Sequence, residues 1–324
     1  MYHPRQTLRV GLSAILCAVL FRLFAAGAPE KLISRLKAPD ITAFIEYLET
    51  GRNVRFSPSL DTFSPDFMES PPPSLPQPTE SPIPSFSGEE TVELYYAAQK
   101  NPDIPSLLAV PLTWQLRGED PTVLILHTHT TESYTKTQEK YKESASWRTL
   151  DENYNLLSIG TLVRELLEQN GIVTLHDREI HDYPSYNGSY SHARKSIQSY
   201  LEEYPSLQLI LDLHRDASAG EDGQMRTRAT VNGQPSAQLM VVLGTNHEGY
   251  EENLSLALKL HTLLEQQAPG ITRPLQLRAQ RFNQDLSSGT LIIEVGAAGN
   301  THPEAQTAAK QLANAIIALA NGSK

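Results

Sequence analysis

At 324 residues with 40% hydrophobic side chains, the chain holds enough apolar material for one large cored domain or two smaller ones, which excludes a wholly disordered protein. Lys and Arg number 27 against 37 Asp and Glu, a formal charge of -10, and no stretch concentrates the basic residues, so no nucleic acid partner is expected. A lone cysteine, Cys17, excludes an intrachain disulfide or a thiolate cluster and leaves any metal to histidines and carboxylates.

The N-terminal segment reads as an address. Arg5 and Arg9 precede an apolar run from Val10 to Phe21, which Arg22 interrupts and Leu23 to Ala28 resume. The run is of membrane-spanning length, and the basic flank places the remainder of the chain outside the cytoplasm. Residues 1–28 are expected to be a signal-anchor or transmembrane segment; cleavage after Ala26-Gly27-Ala28, or a buried helix of the soluble fold, are the alternatives. Residues 29–90 then combine helical spacing of apolar residues over 30–50, a juxtamembrane helix, with a Pro/Ser-rich stretch from Ser57 to Gly88 that cannot bury enough surface to offset chain entropy. That stretch is expected to be an extended, semi-rigid spacer.

The third region, 91–324, alternates strand and helix patterns. Short continuous apolar runs predict buried strands at 122–126, 172–175, 207–213, 238–244 and 290–295. Helical spacing predicts helices at 155–170, 193–204, 253–267 and 303–320, the first stopped by Gly171. Such alternation implies an α/β fold, a mostly parallel twisted sheet with helices on both faces.

Chemistry in open α/β sheets gathers beyond the carboxyl ends of the strands. Three strands end in His127-Thr-His129-Thr-Thr-Glu132, in Asp212-Leu-His214-Arg215-Asp216, and in a run carrying Glu294 among Leu291, Ile292, Ile293 and Val295. Catalytic zinc needs three N or O ligands and an open position, and His129, Glu132 and His214 supply that set. A Glu embedded in an apolar strand normally has a cation, a metal or a proton to exchange, so Glu294 is the candidate general base; an ion pair with Arg215 is the plainer reading. Arg215 is also the candidate holder of a tetrahedral oxyanion. Residues 127 and 129 of a strand point to one side, so the ligand is expected to be either His127 or His129, with the other as its outer partner.

The motifs His127-Thr-His-Thr-Thr-Glu-Ser-Tyr134, Asp182-Tyr-Pro-Ser-Tyr-Asn-Gly-Ser-Tyr190, Asp212-Leu-His-Arg-Asp-Ala217 and Leu291-Ile-Ile-Glu-Val-Gly296 together resemble the stage II sporulation protein P family over roughly 122–320. More distantly they resemble the zinc N-acetylmuramoyl-L-alanine amidases, in which His129, His214 and Glu294 match the two histidine ligands and the catalytic Glu. The amidases take their carboxylate ligand from the start of the first helix, so Asp151 and Glu152 compete with Glu132. The resemblance implies a membrane-anchored, extracytoplasmic hydrolase of the septal wall during engulfment. Its reaction would be cleavage of the amide between N-acetylmuramic acid and the L-alanine of the stem peptide, with cross-links as further substrates. It also implies an engulfment complex with a lytic transglycosylase like stage II sporulation protein D. Asp182, Tyr186 and Arg194, in and after the tyrosine-rich segment, are candidate peptidoglycan contacts. The rival readings are a wall-binding scaffold with an idle site and a carboxypeptidase-like zinc hydrolase.

Overall fold

The computed structural model describes residues 86, 92–96, 100–135, 147–220 and 223–322. The expected anchor at 1–28 and nearly all of the helix and spacer at 29–90 lie outside the described residues. Among the described residues, no helix is long and apolar enough to cross a membrane.

In chain order the elements are β1 (Leu94–Tyr96), α1 (Ile104–Ala109), β2 (Val123–Leu126), α2 (Leu156–Gln169), β3 (Thr174–His176), α3 (Ser189–Glu203), β4 (Leu209–Asp216), β5 (Ala219–Gly220), β6 (Gly223–Gln224), β7 (Ala229–Val231), β8 (Gln234–Ser236), β9 (Leu239–Gly244), α4 (Tyr250–Gln267), β10 (Leu275–Arg278), β11 (Thr290–Ala297) and α5 (His302–Gly322). Seven strands form one sheet in the order β1-β10-β9-β11-β4-β2-β3, while β5-β6 and β7-β8 make two small ribbons. Every neighbouring pair in the large sheet is parallel except β9 and β11. The expected mostly parallel sheet is therefore a mixed one: a block of β3, β2, β4 and β11 meets an oppositely directed block of β9, β10 and β1. The chain reverses between β4 and β9, which the two ribbons join, and again between β10 and β11, where only a single 3-10 turn, Gln284–Leu286, intervenes; within the reversed block the parallel neighbours β9 and β10 are joined by α4. Parallel neighbours need the longer crossover.

Residue alternation along the strands sorts side chains between the two faces. Leu209, Leu211 and Leu213 of β4, with Leu291, Ile293 and Val295 of β11, join the main core under α2, α4 and α5. The close approach of α5 depends on small residues, since Ala305, Ala308, Ala309 and Ala313 are all fully buried. On the opposite face, Leu124, Leu126 and Ile210 pack against Ala193 and Ile197 of α3. Asp212, His214 and Glu294 share the parity of Ile210 and Ile292, and so belong to the α3 face.

Helix α2 starts where Asn155 accepts the Leu157 N–H at 2.9 Å, capping the first turn as an Asn does. Helix α3 begins at Ser189, earlier than the apolar spacing predicts, with Gly188 at φ 89° before it. The last three residues of the tyrosine-rich motif therefore lie at or inside a helix start, which fixes Tyr190 over the sheet.

Candidate active site

The parallel block brings the ends of β2, β4 and β11 to one edge, and Glu294 pairs directly with His214 in register. Just beyond it the register of β11 shifts at a bulge. Gly296 occupies that bulge at φ 75°, where a Cβ would meet the Ala237 Cβ at 2.7 Å, so only glycine lets β11 bend there.

His129, Glu132 and His214 meet at this edge. The His129 and His214 rings lie 5.2 Å apart, nearly perpendicular at 86°. Glu132 Oε2 lies 3.7 Å from His214 Nδ1, and the same oxygen accepts the Arg215 N–H at 3.1 Å. The competing carboxylates are elsewhere: Asp151 is exposed, and the exposed Glu152 pairs with Arg178. Tyr186 stacks on the His129 ring at 4.5 Å, and Tyr190 approaches it edge-on at 5.5 Å. Ser189 Oγ lies 3.3 Å from His129 Nδ1.

His127 does not join them. The strand stops at Leu126, and residues 128–131 form a turn, so the side-by-side arrangement expected of a continuing strand is lost. The cause is long-range: Asp212 accepts both the Thr128 N–H (2.8 Å) and the Thr128 hydroxyl (2.6 Å), which pulls the chain out of the sheet. His127 is left beneath Gly160 of α2, its Nε2 2.9 Å from His176 Nε2, while His129 packs against α3.

Charge is concentrated at this edge. Burial opposes a charged His214, but Asp212, then Glu132 and Glu294, outweigh it and push the ring up to about 9. Burial carries Glu294 the same way, to about 8, with Asp216 and Glu132 adding to the shift against the pull of His214 and Arg215. His129 is held neutral, well below its ordinary value, by burial and by the nearby cations Arg148, His214 and Arg215.

The donor set suits a divalent cation. Two imidazoles and a carboxylate of the types zinc prefers lie at one strand edge. His214 Nε2 sits 3.0 Å from Asp212 Oδ1 but off the hydrogen-bond direction, and is buried without a hydrogen-bond partner. Glu294 Oε2 is likewise buried and unpartnered, although the residue as a whole reaches solvent. Such orphaned atoms are what a cation or a reacting group satisfies. Among the described residues, the trio whose ligand atoms all lie within 4.8 Å of one another is a different one, Asp177, Glu179 and His181, after β3. There a His181 to Asp177 ion pair at 3.1 Å occupies the centre.

The remaining candidates have structural partners. Arg215 sends Nη1 to Glu132 (3.4 Å) and Nη2 to the Trp147 carbonyl (2.8 Å), so the contacts it makes hold Glu132. Asp182 accepts from Thr131 N (3.1 Å), Thr131 Oγ1 (2.7 Å) and Arg148 Nη1 (2.6 Å), tying the tyrosine-rich loop to the turn that bears His129. Arg194 forms a two-pronged pair with Asp285, both contacts at 2.8 Å. Asp212 and Arg148 are participants beyond the sequence-derived set. Asp212 was legible from its spacing, two residues before His214 on the same face. Arg148, whose guanidinium also lies 4.6 Å over the Tyr186 ring, belongs to no motif.

With this geometry in view, the comparisons with known proteins are specific at the level of sequence. The family profile described as "Stage II sporulation protein P (SpoIIP)" matches residues 76–317. The Stage II sporulation protein P of Bacillus subtilis (strain 168) is 30% identical over 259 residues, which is 73% of this chain. The match spans 61% of that relative's length. Likenesses to solved structures are remote. CwlD amidase from Clostridioides difficile, in complex with the GerS lipoprotein, gives 14% identity and a TM-score of 0.39 over 60% of this chain and 94% of that one. Ami1, an N-acetylmuramyl-L-alanine amidase from Mycobacterium smegmatis, gives 13% and 0.39 over 65% and 100%. AmiC2 of Nostoc punctiforme gives 14% and 0.36 over 61% and 97%. Likenesses this distant decide neither fold nor activity. The sequence matches are of a different order, and by them this chain belongs to the stage II sporulation protein P family.

Proposed function

We propose that the protein is a zinc-dependent peptidoglycan hydrolase that cleaves the amide between N-acetylmuramic acid and the L-alanine of the stem peptide, with cross-links as secondary substrates. It would act on septal wall during sporulation, outside the membrane that the N-terminal segment anchors it to, beside a lytic transglycosylase of the stage II sporulation protein D kind. Membership of the family supports the setting. The observation that carries the chemistry is the meeting of His129, Glu132 and His214 with an orphaned Glu294 carboxylate at one strand edge.

His129, Glu132 and His214 would hold the zinc, which when bound supplies a Lewis acid and a water more acidic than bulk water. Glu294 then takes a proton at Oε2 and returns it to the departing nitrogen. Its environment suits a proton shuttle, because burial holds the proton on up to about 8 and any added positive charge nearby favours its release. His129 is already neutral, the form a ligand requires. Arg215 and its backbone N–H fix Glu132, while Tyr186 and Tyr190 shield His129 from water.

Purified sacculi and elemental analysis test this together. The full chain should contain zinc and release stems bearing new L-alanine amino termini. Glu294→Gln should retain zinc and lose turnover by at least two orders of magnitude, the scale of a general-base contribution. Release of C-terminal D-alanine alone would identify a carboxypeptidase, and wall binding without any product would identify a scaffold; either result overturns the proposal.

A further inference from the structure

The imidazole pair beneath α2 is separate from the zinc-binding set, and its hydrogen bonds can run in one direction only. His127 Nδ1 lies 3.2 Å from the Leu213 carbonyl, which can only accept, so Nδ1 carries the hydrogen. His127 is 1% exposed and its hydrogen-bond partners are a carbonyl and an imidazole, so a second ring hydrogen would leave a buried charge with no carboxylate to pair it, and its Nε2 is the acceptor. His176 Nε2, 2.9 Å away, must then be the donor. That leaves His176 Nδ1 bare, and it is buried without a partner. The chain of bonds therefore runs from His176 through His127 to Leu213.

This relay spans the ends of three neighbouring strands. His176 ends β3, His127 follows β2, and Leu213 lies in β4 immediately before His214. On its far side the His127 carbonyl accepts the Thr130 hydroxyl at 2.8 Å, and Asp212 grips Thr128. The turn carrying His129 and Glu132 is thus clamped between the relay and Asp212. Helix α2 seals the pair: a Cβ on Gly160 would come within 2.5 Å of His176 Nε2 and 2.6 Å of His127 Nε2, so nothing can be interposed between helix and rings. An apolar residue at 176 would avoid the orphaned Nδ1, and the histidine keeps that cost in exchange for the donor at Nε2.

We propose that His176 is a positioning residue for the zinc-binding turn, acting through the His127 tautomer to set the spacing between the His129–Glu132 segment and His214. The inference rests on the zinc reading above and deepens it. Partners that orient metal ligands from outside typically change metal affinity by roughly 10–100-fold when removed.

The test compares the full chain with His176→Leu and His176→Gln by chelator competition for zinc, by melting in EDTA, and by nitrogen NMR of the His127 ring. His176→Leu should weaken zinc binding roughly 10–100-fold. The Gln amide donates from nearly the same place, and should restore affinity to within about threefold while keeping hydrogen on His127 Nδ1. Equal zinc affinity in wild type and a folded His176→Leu overturns the inference and leaves the zinc reading standing. A wild type that binds no zinc overturns both. Should His176→Leu not fold, the wild-type spectrum and the Gln variant decide: hydrogen on His127 Nε2, or a folded Gln variant with zinc affinity lowered tenfold or more, refutes the relay.

Discussion

Replacing His302 with glutamine should remove a defined part of the protein's acid sensitivity. His302 is the first residue of α5, 8% exposed, with Nε2 2.7 Å from Ser158 Oγ. The Ser158 hydroxyl hydrogen goes to the Asn155 carbonyl at 2.8 Å, so His302 must donate from Nε2. Burial lowers its pKa to about 4 against the pull of Asp151, and a helix N-terminus is a poor place for a cation. In the unfolded chain the same ring titrates at about 6.5. The proton therefore binds the unfolded state preferentially. Stability that rests on the neutral ring is fully present above about 6.5 and is lost as pH falls from there towards the folded value. At pH 5 the loss is about 1.5 pH units at ~1.4 kcal/mol each, or about 2 kcal/mol. It depends on the unfolded value alone as long as the folded ring titrates below 5. Urea midpoints of wild type and His302→Gln, in chelator at pH 7 and pH 5, give the difference directly, and subtraction cancels groups such as Glu294 whose raised pKa works in the opposite direction over the same range. Wild type should lose about 2 kcal/mol more than the variant. Equal losses would mean that His302 is charged in the fold, and the packing argument would be wrong.

Gly160→Ala should destabilise the protein by about 1–3 kcal/mol, because the added methyl meets two imidazole nitrogens that hold each other in place; an unchanged melting temperature would show that the pair can retreat. Asn155→Ala removes the cap of α2 and a further bond from Asn155 Nδ2 to the Thr149 carbonyl (3.2 Å). About 1–2 kcal/mol of unfolding free energy should go with it, measurable by denaturant titration, and a loss below about 0.3 kcal/mol would place the helix start elsewhere.

The strands legible in the sequence are those whose burial on both faces leaves a continuous apolar run, namely β2, β4, β9 and β11, and their polar ends marked His214 and Glu294 at once. The apolar run at 172–175 also marked the edge strand β3, two residues early, but the strands towards the other edge left no such trace. β10 is Leu275-Gln-Leu-Arg278, too short and too polar to distinguish from a loop, and β1 is three residues long. Direction is not encoded either: a buried run reads identically whichever way it lies, so the reversal at β9 and β11 had no signature. The choice between His127 and His129 was beyond local pattern for a related reason. Asp212, 84 positions from Thr128, ends the strand at Leu126 and separates the two rings.

That unreadable reversal shapes the chemistry of Glu294. In an unbroken parallel sheet, the strand beside β11 would bring its own carboxyl end and loop to this edge. Because β9 runs the other way, the residue opposite Glu294 is Met240, near the start of β9, within the buried apolar patch of Met240, Val242 and Ile292. On its other side Glu294 pairs with His214. The carboxylate thus has one neighbour that can stabilise its charge and one that cannot, with Glu132 and Asp216 adding negative potential. Burial is the largest cause of its raised pKa, and with a single stabilising strand neighbour the shift is only partly offset. An apolar residue in place of His214 would raise the pKa further, whereas a polar strand end in place of Met240 would lower it towards the ordinary carboxylate range. The antiparallel join holds Glu294 between these limits, as the proposed role of accepting and returning one proton requires.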